Sequence, residues 1–384
     1  MRIYFDNNAT TPMHPSAVET LTTLSAEVFG NPSSVHFEGR KAKQVLEDAR
    51  DRVAALLGAE SKDIVFTSGG TESNNAALRG VVSNGSECCH IVTTTIEHPS
   101  VAAVVADLEV QGHEVTRIKP QASGRVDADE VIAALRPGTR LVTMMLANNE
   151  TGVIQPVKEV AEVCRARGIL FHTDAVQAIG KTPVSVADLG VDVLALAGHK
   201  FHGPKGAGAL WVRGGSGLAG WVIGGSQERR RRAGTEAVPL YAALGAAALA
   251  VLDEQDLVLG MESMRDRLEE AILGAIDGSV VNGKDAARVP NTTNLRISGC
   301  DSESMVIGLD LEGISVSGGA ACGSGRVEGS HVLREMGVSL EDARSSFRIS
   351  ICRFTKKDEI DQFVGAVVRV AASVRASTGA AVTA

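Results

Sequence analysis

Two periods of apolar residues alternate along this chain. Residues 36–57 carry apolar positions at helical spacing, and Gly58 stands where a helix would stop. Residues 63–67 form a short apolar run of strand length, and a helix is predicted over 72–79. The same exchange repeats downstream. Strands are predicted over 89–95, 114–118, 141–146, 170–177 and 191–196, and helices over 100–111, 127–135 and 157–167. Such alternation predicts an α/β fold with a mainly parallel sheet covered by helices on both faces. Ligands of such sheets bind beyond the carboxyl ends of the strands. The longest apolar stretch, 240–252, is rich in alanine and shorter than the roughly 20 residues that cross a bilayer. It predicts a buried helix.

The pattern changes after residue 256. A charged helix over 261–276, strands over 293–297 and 346–350, and helices over 302–311 and 357–373 predict a smaller α+β domain. The preceding unit, 14–255, is the larger one. With 384 residues, 44% of them hydrophobic, the chain can bury two cores.

Charge narrows the partners. The net charge is -8 and there is no extended basic face, which argues against nucleic acid. The arginines at 229–232 lie between Glu228 and Glu236 and read as a local cluster. The first residues, Met1-Arg2-Ile3-Tyr4-Phe5-Asp6, lack a secretory apolar region, so a cytoplasmic location is expected. The six cysteines have neither CxxC pairing nor zinc spacing, so no metal site is expected. Most should be buried thiols acting as small apolar residues.

The candidate chemistry falls at strand ends. Lys200 sits in Gly198-His199-Lys200-Phe201-His202-Gly203, directly after an apolar strand. Asp174 ends another, in His172-Thr173-Asp174-Ala175-Val176-Gln177. Lysine and aspartate at adjacent strand ends suit pyridoxal phosphate. The lysine forms a Schiff base, and the carboxylate keeps the ring nitrogen protonated. An isolated pair would more often be a surface lysine and a turn aspartate; the surrounding motifs favour the cofactor. Thr67-Ser68-Gly69-Gly70-Thr71-Glu72 joins a strand to a helix start, where backbone N–H groups and the Thr71 hydroxyl can meet a phosphate. The alternative there is an ordinary Gly-Gly turn. His98, after a strand, can stack on the ring and move protons. Gln177 can donate to the ring's phenolic oxygen, and the amides of Asn148 and Asn149 can hold cofactor or a substrate carboxylate. Arg348 offers a bidentate fork for that carboxylate, or else a surface ion pair. Ser317-Gly318-Gly319-Ala320-Ala321-Cys322-Gly323-Ser324-Gly325 has too little side-chain volume to pack as core. It predicts a mobile loop with one exposed nucleophilic thiol, Cys322, or a linker with an incidental cysteine.

These motifs, with Asp6-Asn7-Asn8-Ala9-Thr10-Thr11-Pro12, Gly30-Asn31-Pro32-Ser33-Ser34-Val35-His36, Ala147-Asn148-Asn149-Glu150-Thr151-Gly152 and Arg232-Ala233-Gly234-Thr235-Glu236, resemble the cysteine desulfurases of NifS/IscS type. That family lies within the class V aminotransferases of PLP fold-type I. The resemblance implies a seven-stranded-type sheet in the large domain, with 1–13 joining 256–384 in a small domain that carries the cysteine loop. It implies Lys200 as the cofactor lysine, Asp174 at the ring nitrogen, His98 over the ring, Gln177 at the phenolic oxygen and Asn149 nearby. Gly70, Thr71 and His199 would bind the phosphate, as would Thr235 from the neighbouring subunit of a homodimer. Arg348 would hold the carboxylate of L-cysteine. Catalysis by Lys200, His98 and Cys322 would release alanine and leave a Cys322 persulfide for a sulfur acceptor, such as an iron–sulfur scaffold protein. Some positions depart from the family. Ala197 replaces a serine phosphate donor, which predicts weaker cofactor retention. Ser226, Ala237, Ala320 and Gly323 also differ, and the last two predict a looser cysteine loop. A selenocysteine lyase, another class V enzyme and a silent sulfur-pathway scaffold are the rival readings.

Overall fold

The computed structural model describes residues 2–82, 88–318 and 329–378. Its centre is a seven-stranded sheet. Across the sheet the strands are Ile64–Thr67, Gly208–Val212, Val193–Ala197, Leu170–Asp174, Thr139–Thr143, His90–Thr94 and Glu114–Ile118. Gly208–Val212 runs antiparallel to both neighbours, and the remaining pairs are parallel. The inner strands His90–Thr94, Val193–Ala197 and Gly208–Val212 are buried along their whole length, as strands covered on both faces must be.

The predicted helix over 36–57 forms as Phe37–Leu57, with Gly58 in the left-handed conformation at its end. The alanine-rich stretch becomes the buried helix Val238–Asp253. The strand expected over 141–146 covers Thr139–Thr143. Beyond it Met144 N and Leu146 N still donate to His172 O and Asp174 O, but Met145 N, which faces the other way, donates to the Glu97 carboxyl at 2.9 Å and not to a strand. Gly208–Val212 had no sequence expectation. It enters the sheet through a close approach that glycine permits, since a Cβ on Gly208 would lie 2.6 Å from Gly69 Cα.

The apolar residues form separate cores. One packs helices such as Phe37–Leu57 and Val238–Asp253 against one face of the sheet. Another packs the helix Gly70–Val82 and its neighbours on the opposite face. A further core joins Ile3 and Phe5 to residues between Val258 and Val374. It covers a four-stranded sheet built from Ser317–Gly318, Ser346–Ser350, Thr292–Ile297 and Ser279–Val281. Val332, Leu333, Met336 and Ala343 instead join the first core, so the chain beyond 329 crosses back to the large sheet.

Candidate active site

The strands Ile64–Thr67, His90–Thr94, Thr139–Thr143, Leu170–Asp174 and Val193–Ala197 end at one edge of the large sheet, and the predicted chemistry collects there. Asp174, 6% exposed, closes its strand. Its Oδ1 accepts from Val176 N at 3.0 Å and its Oδ2 from Asn74 Nδ2 at 2.7 Å. The same Asn74 amide group donates to Ser100 Oγ at 2.8 Å, and Ser100 Oγ lies 2.7 Å from His98 Nδ1. His98 also caps the helix Pro99–Val110, because its Nδ1 accepts from Ser100 N at 3.1 Å. An Nδ1 that accepts places the ring proton on Nε2. A hydrogen-bonded chain therefore runs from Asp174 through Asn74 and Ser100 to His98. Burial lowers the His98 pKa, Asp174 opposes this, and Lys200 lowers it further.

Lys200 stands in the short turn Gly198–Lys200 that follows its strand. Its Nζ donates to Asn8 O at 2.7 Å and Ala9 O at 2.9 Å. Gln177 Nε2 reaches the same Asn8 oxygen at 3.0 Å. His199 Nδ1 lies 3.2 Å from Thr10 Oγ1, and burial lowers its pKa to about 4, so the ring is neutral at pH 7. The helix Gly70–Val82 opens beside these groups. A Cβ on Gly70 would lie 2.9 Å from Val176 Cγ2 and 3.6 Å from Ala197 Cβ. The helix start is thus wedged between the loop after Asp174 and the strand that leads to Lys200. Its first N–H groups have no intrahelical acceptor, and Thr71 there is exposed.

Arg348 comes from the smaller sheet and is 4% exposed. It donates to Asp6 Oδ1 at 2.7 Å and to Asn149 O at 2.9 Å, and its buried Nε has no hydrogen-bond partner among the described residues. Two buried carboxyl groups frame this region. Burial raises Glu150 to about 7 despite its hydrogen bond from Ser330 and the charge of Arg348. Burial raises Glu97 to about 8, against hydrogen bonds from Met145 N and Thr94 Oγ1.

The structure does not bring Thr235 into this group. It is exposed and has no hydrogen bond to these residues among those described. Before it, Glu228, Arg229 and Arg230 have φ values of 43°, 57° and 65°, which side chains resist. The turn is held by its anchors. The Glu228 carboxylate takes two 2.7 Å bonds from Arg50 and one of 2.8 Å from Phe66 N. Cys322, Ala320 and Gly323 lie outside the described residues. Of the other thiols, Cys89, Cys164 and Cys300 are buried, Cys352 is half-buried and Cys88 is exposed.

The aminotransferase class-V family matches residues 3–363. The chain belongs to this family. A cysteine desulfurase from Nostoc sp. is 44% identical over 97% of this chain and 94% of its own length. A cysteine desulfurase IscS from Dictyoglomus turgidum is 40% identical over 97% and 95%. Among solved structures, a NifS-like protein superposes with a TM-score of 0.91 at 34% identity, covering 97% of this chain and all of that one. A structure described as SspA in complex with cysteine gives 0.82 at 34% identity, over 93% and 100%.

Pyridoxal phosphate is the cofactor of this class V chain, and the residues present fit it. A buried carboxylate with bonded oxygens, an amine one strand away and an open helix start are the three fixtures that the ring nitrogen, aldehyde and phosphate require. Sequence reasoning missed the residues that hold these fixtures. Asn74 and Ser100 are unremarkable helix residues until the fold joins them. Asn8 lay inside a recognised motif, yet nothing local shows that it accepts from both Lys200 and Gln177. Lys181 did leave a signal: it is a lysine in a largely apolar stretch, four residues after Gln177, and is 4% exposed.

Proposed function

We propose that the protein is a cysteine desulfurase. Sulfur is taken from L-cysteine, L-alanine is released, and the sulfur remains as a persulfide on Cys322. The observation that carries this reading is the convergence of Lys200, Asp174 and His98 at one sheet edge, in a chain 44% identical to a cysteine desulfurase over 375 residues. Lys200 would hold pyridoxal phosphate, which would supply the electron sink. The chain's own residues do the rest. Asp174, anchored by Asn74 and Val176 N, holds a negative charge at the ring nitrogen. Gly70, Thr71 and His199 take the phosphate, His199 as a neutral donor. His98, with its proton on Nε2, would face the ring. Arg348 binds the substrate carboxylate, beside Asn149, through donors now shared with Asp6. Lys200 would be the base that moves the proton from the substrate Cα. The Cys322 thiolate then attacks the substrate sulfur. One S–S bond forms, the substrate C–S bond breaks, and protonation of the carbon gives alanine.

The reading extends to assembly. Phe29, Val35, Phe37 and Ile223 are large apolar residues between 67% and 88% exposed. Pro32 and Ser33 share a cleft with Ser226–Arg229 and Glu236, next to Thr235. This apolar face supports a homodimer in which Thr235 completes the phosphate site of the partner. The core that unites Ile3 and Phe5 with residues between Val258 and Val374 supports a small domain of 1–13 and 256–384, from which the segment around Val332–Ala343 reaches back to the large sheet. Among the described residues no helix is long and apolar enough to cross a membrane, in keeping with cytoplasmic work beside an iron–sulfur scaffold or another sulfur acceptor.

The test is alanine formed from L-cysteine by the purified protein with pyridoxal phosphate and a thiol reductant, beside Cys322→Ala. Alanine from the wild type alone supports the reading. Equal alanine from both removes Cys322 from the mechanism and favours another class V lyase. Cofactor-bearing protein without turnover on cysteine favours the silent scaffold, or selenocysteine as substrate.

A further inference from the structure

Beneath Lys200 lies a second buried amine. Lys181 is 4% exposed, and its Nζ donates to Asn8 Oδ1 at 2.7 Å and to Gln177 Oε1. Neither acceptor is charged, and the charges that act on Lys181 are the like charges of Lys200 and Arg348. Gly180, at φ 74°, makes the turn that precedes it.

These two bonds fix the direction of two amides. An amide can rotate by half a turn without changing shape, so only its hydrogen bonds decide which end faces which way. Asn8 Oδ1 is occupied by Lys181 and by Asn291 Nδ2 at 3.1 Å. Asn8 Nδ2 therefore faces Thr292 Oγ1 and Asn149 O, at 2.9 and 3.1 Å. Gln177 Oε1 is occupied by Lys181, so its Nε2 faces the site. One Nε2–H goes to Asn8 O at 3.0 Å, the oxygen that also accepts from Lys200. The second is left for a ligand.

We propose that Lys181 is a positioning residue for the cofactor: by holding the oxygens of Gln177 and Asn8, it makes Gln177 offer an N–H rather than a carbonyl to the ring oxygen. This rests on Lys200 and Gln177 facing the cofactor as described above. An N–H stabilises the anionic ring oxygen, whereas a carbonyl would repel it. The arrangement does not need Lys181 to be charged. Burial, then the charges of Lys200 and Arg348, hold its pKa well below the usual lysine value. His199 and His202 also face it, and both are neutral at pH 7, with pKa values lowered to about 4. A neutral amine keeps two N–H donors, enough for both oxygens.

The test is a pH titration of the visible absorbance of the bound cofactor in the holoenzyme, with melting curves to establish folding. Lys181→Met should raise the midpoint by about one pH unit, the weight of one hydrogen bond. Gln177→Ala should raise it as well, and the double variant should shift no further than Gln177→Ala alone. An unmoved midpoint in Lys181→Met, or shifts that add in full, would overturn the proposal. Should Lys181→Met not fold, the same cycle with Lys181→Gln carries the test, because a shorter donor weakens both bonds. Additive shifts overturn the proposal there too. Lys200→Ala separates this from the parent reading. If its spectrum titrates as the wild type does, Lys200 is not the cofactor lysine, whatever Lys181 does.

Discussion

Replacing Glu97 by glutamine should change how stability depends on pH. The Glu97 carboxyl is fully buried beside His98, and its pKa rises from the ordinary 4.5 to about 8. Burial is the cause; Met145 N and Thr94 Oγ1 oppose it from one oxygen, while Oε2 has no partner among the described residues. Between those two pH values the folded chain holds a proton that the unfolded chain has released. Its contribution is therefore complete below about pH 4.5 and is lost as pH rises toward 8. The slope is about 1.4 kcal/mol per pH unit, or roughly 2.7 kcal/mol between pH 5.5 and 7.5. Glutamine keeps an acceptor for Met145 N and Thr94 and does not titrate. Urea unfolding of wild type and Glu97→Gln, at saturating cofactor, reads the difference directly. Glu150 and the buried histidines titrate alike in both proteins and cancel. The variant should gain on the wild type by that amount over the two units. A difference that stays flat with pH would refute a protonated Glu97.

Ala197 Cβ faces the helix start at Gly70, so Ala197→Ser places a hydroxyl where a phosphate can accept from it. Equilibrium dialysis should show cofactor held roughly two- to tenfold more tightly, the worth of one hydrogen bond; unchanged affinity would count against a phosphate at that helix start. Arg230→Gly should stabilise the protein by about 0.5–1 kcal/mol in thermal unfolding, since glycine relieves the left-handed backbone at a smaller entropic cost. Gly208→Ala drives a methyl to 2.6 Å from Gly69 Cα, so the strand or the turn at Gly69 must move. Cofactor affinity should fall at least about tenfold, with tryptophan or cofactor fluorescence as the readout.

The sheet was legible in the sequence because its parallel strands are continuous apolar runs, and burial on both faces requires that. Lys200 and Asp174 were legible for the same reason: they end such runs. Gly208–Val212 escaped because it follows Lys200 through a glycine-rich turn and joins the sheet in the opposite sense, an arrangement no local period announces. The Thr139–Thr143 boundary moved because a carboxyl from Glu97, distant in sequence, takes an amide from the ladder. The supporting residues were hidden for a related reason. Asn74 and Asn8 acquire their roles from partners that only the fold brings near. Asn74 meets an aspartate 100 residues away, and Asn8 meets a serine 342 residues away.

Asn8 also sets the order in which the protein can become competent. Its partners lie far downstream of it: Ser350 Oγ, Thr292 Oγ1 and Lys181 Nζ all bond to it. Lys200 and Gln177 in turn rest on its carbonyl oxygen. A nascent chain that has already made its central sheet would still lack the strand bearing Ser350, and so would lack the groups that seat Asn8. Loading of the cofactor should therefore be delayed until the strand bearing Ser350 has been made. A chain cut before Ser350 would leave Lys200 and Gln177 resting on an Asn8 that has lost part of its seat.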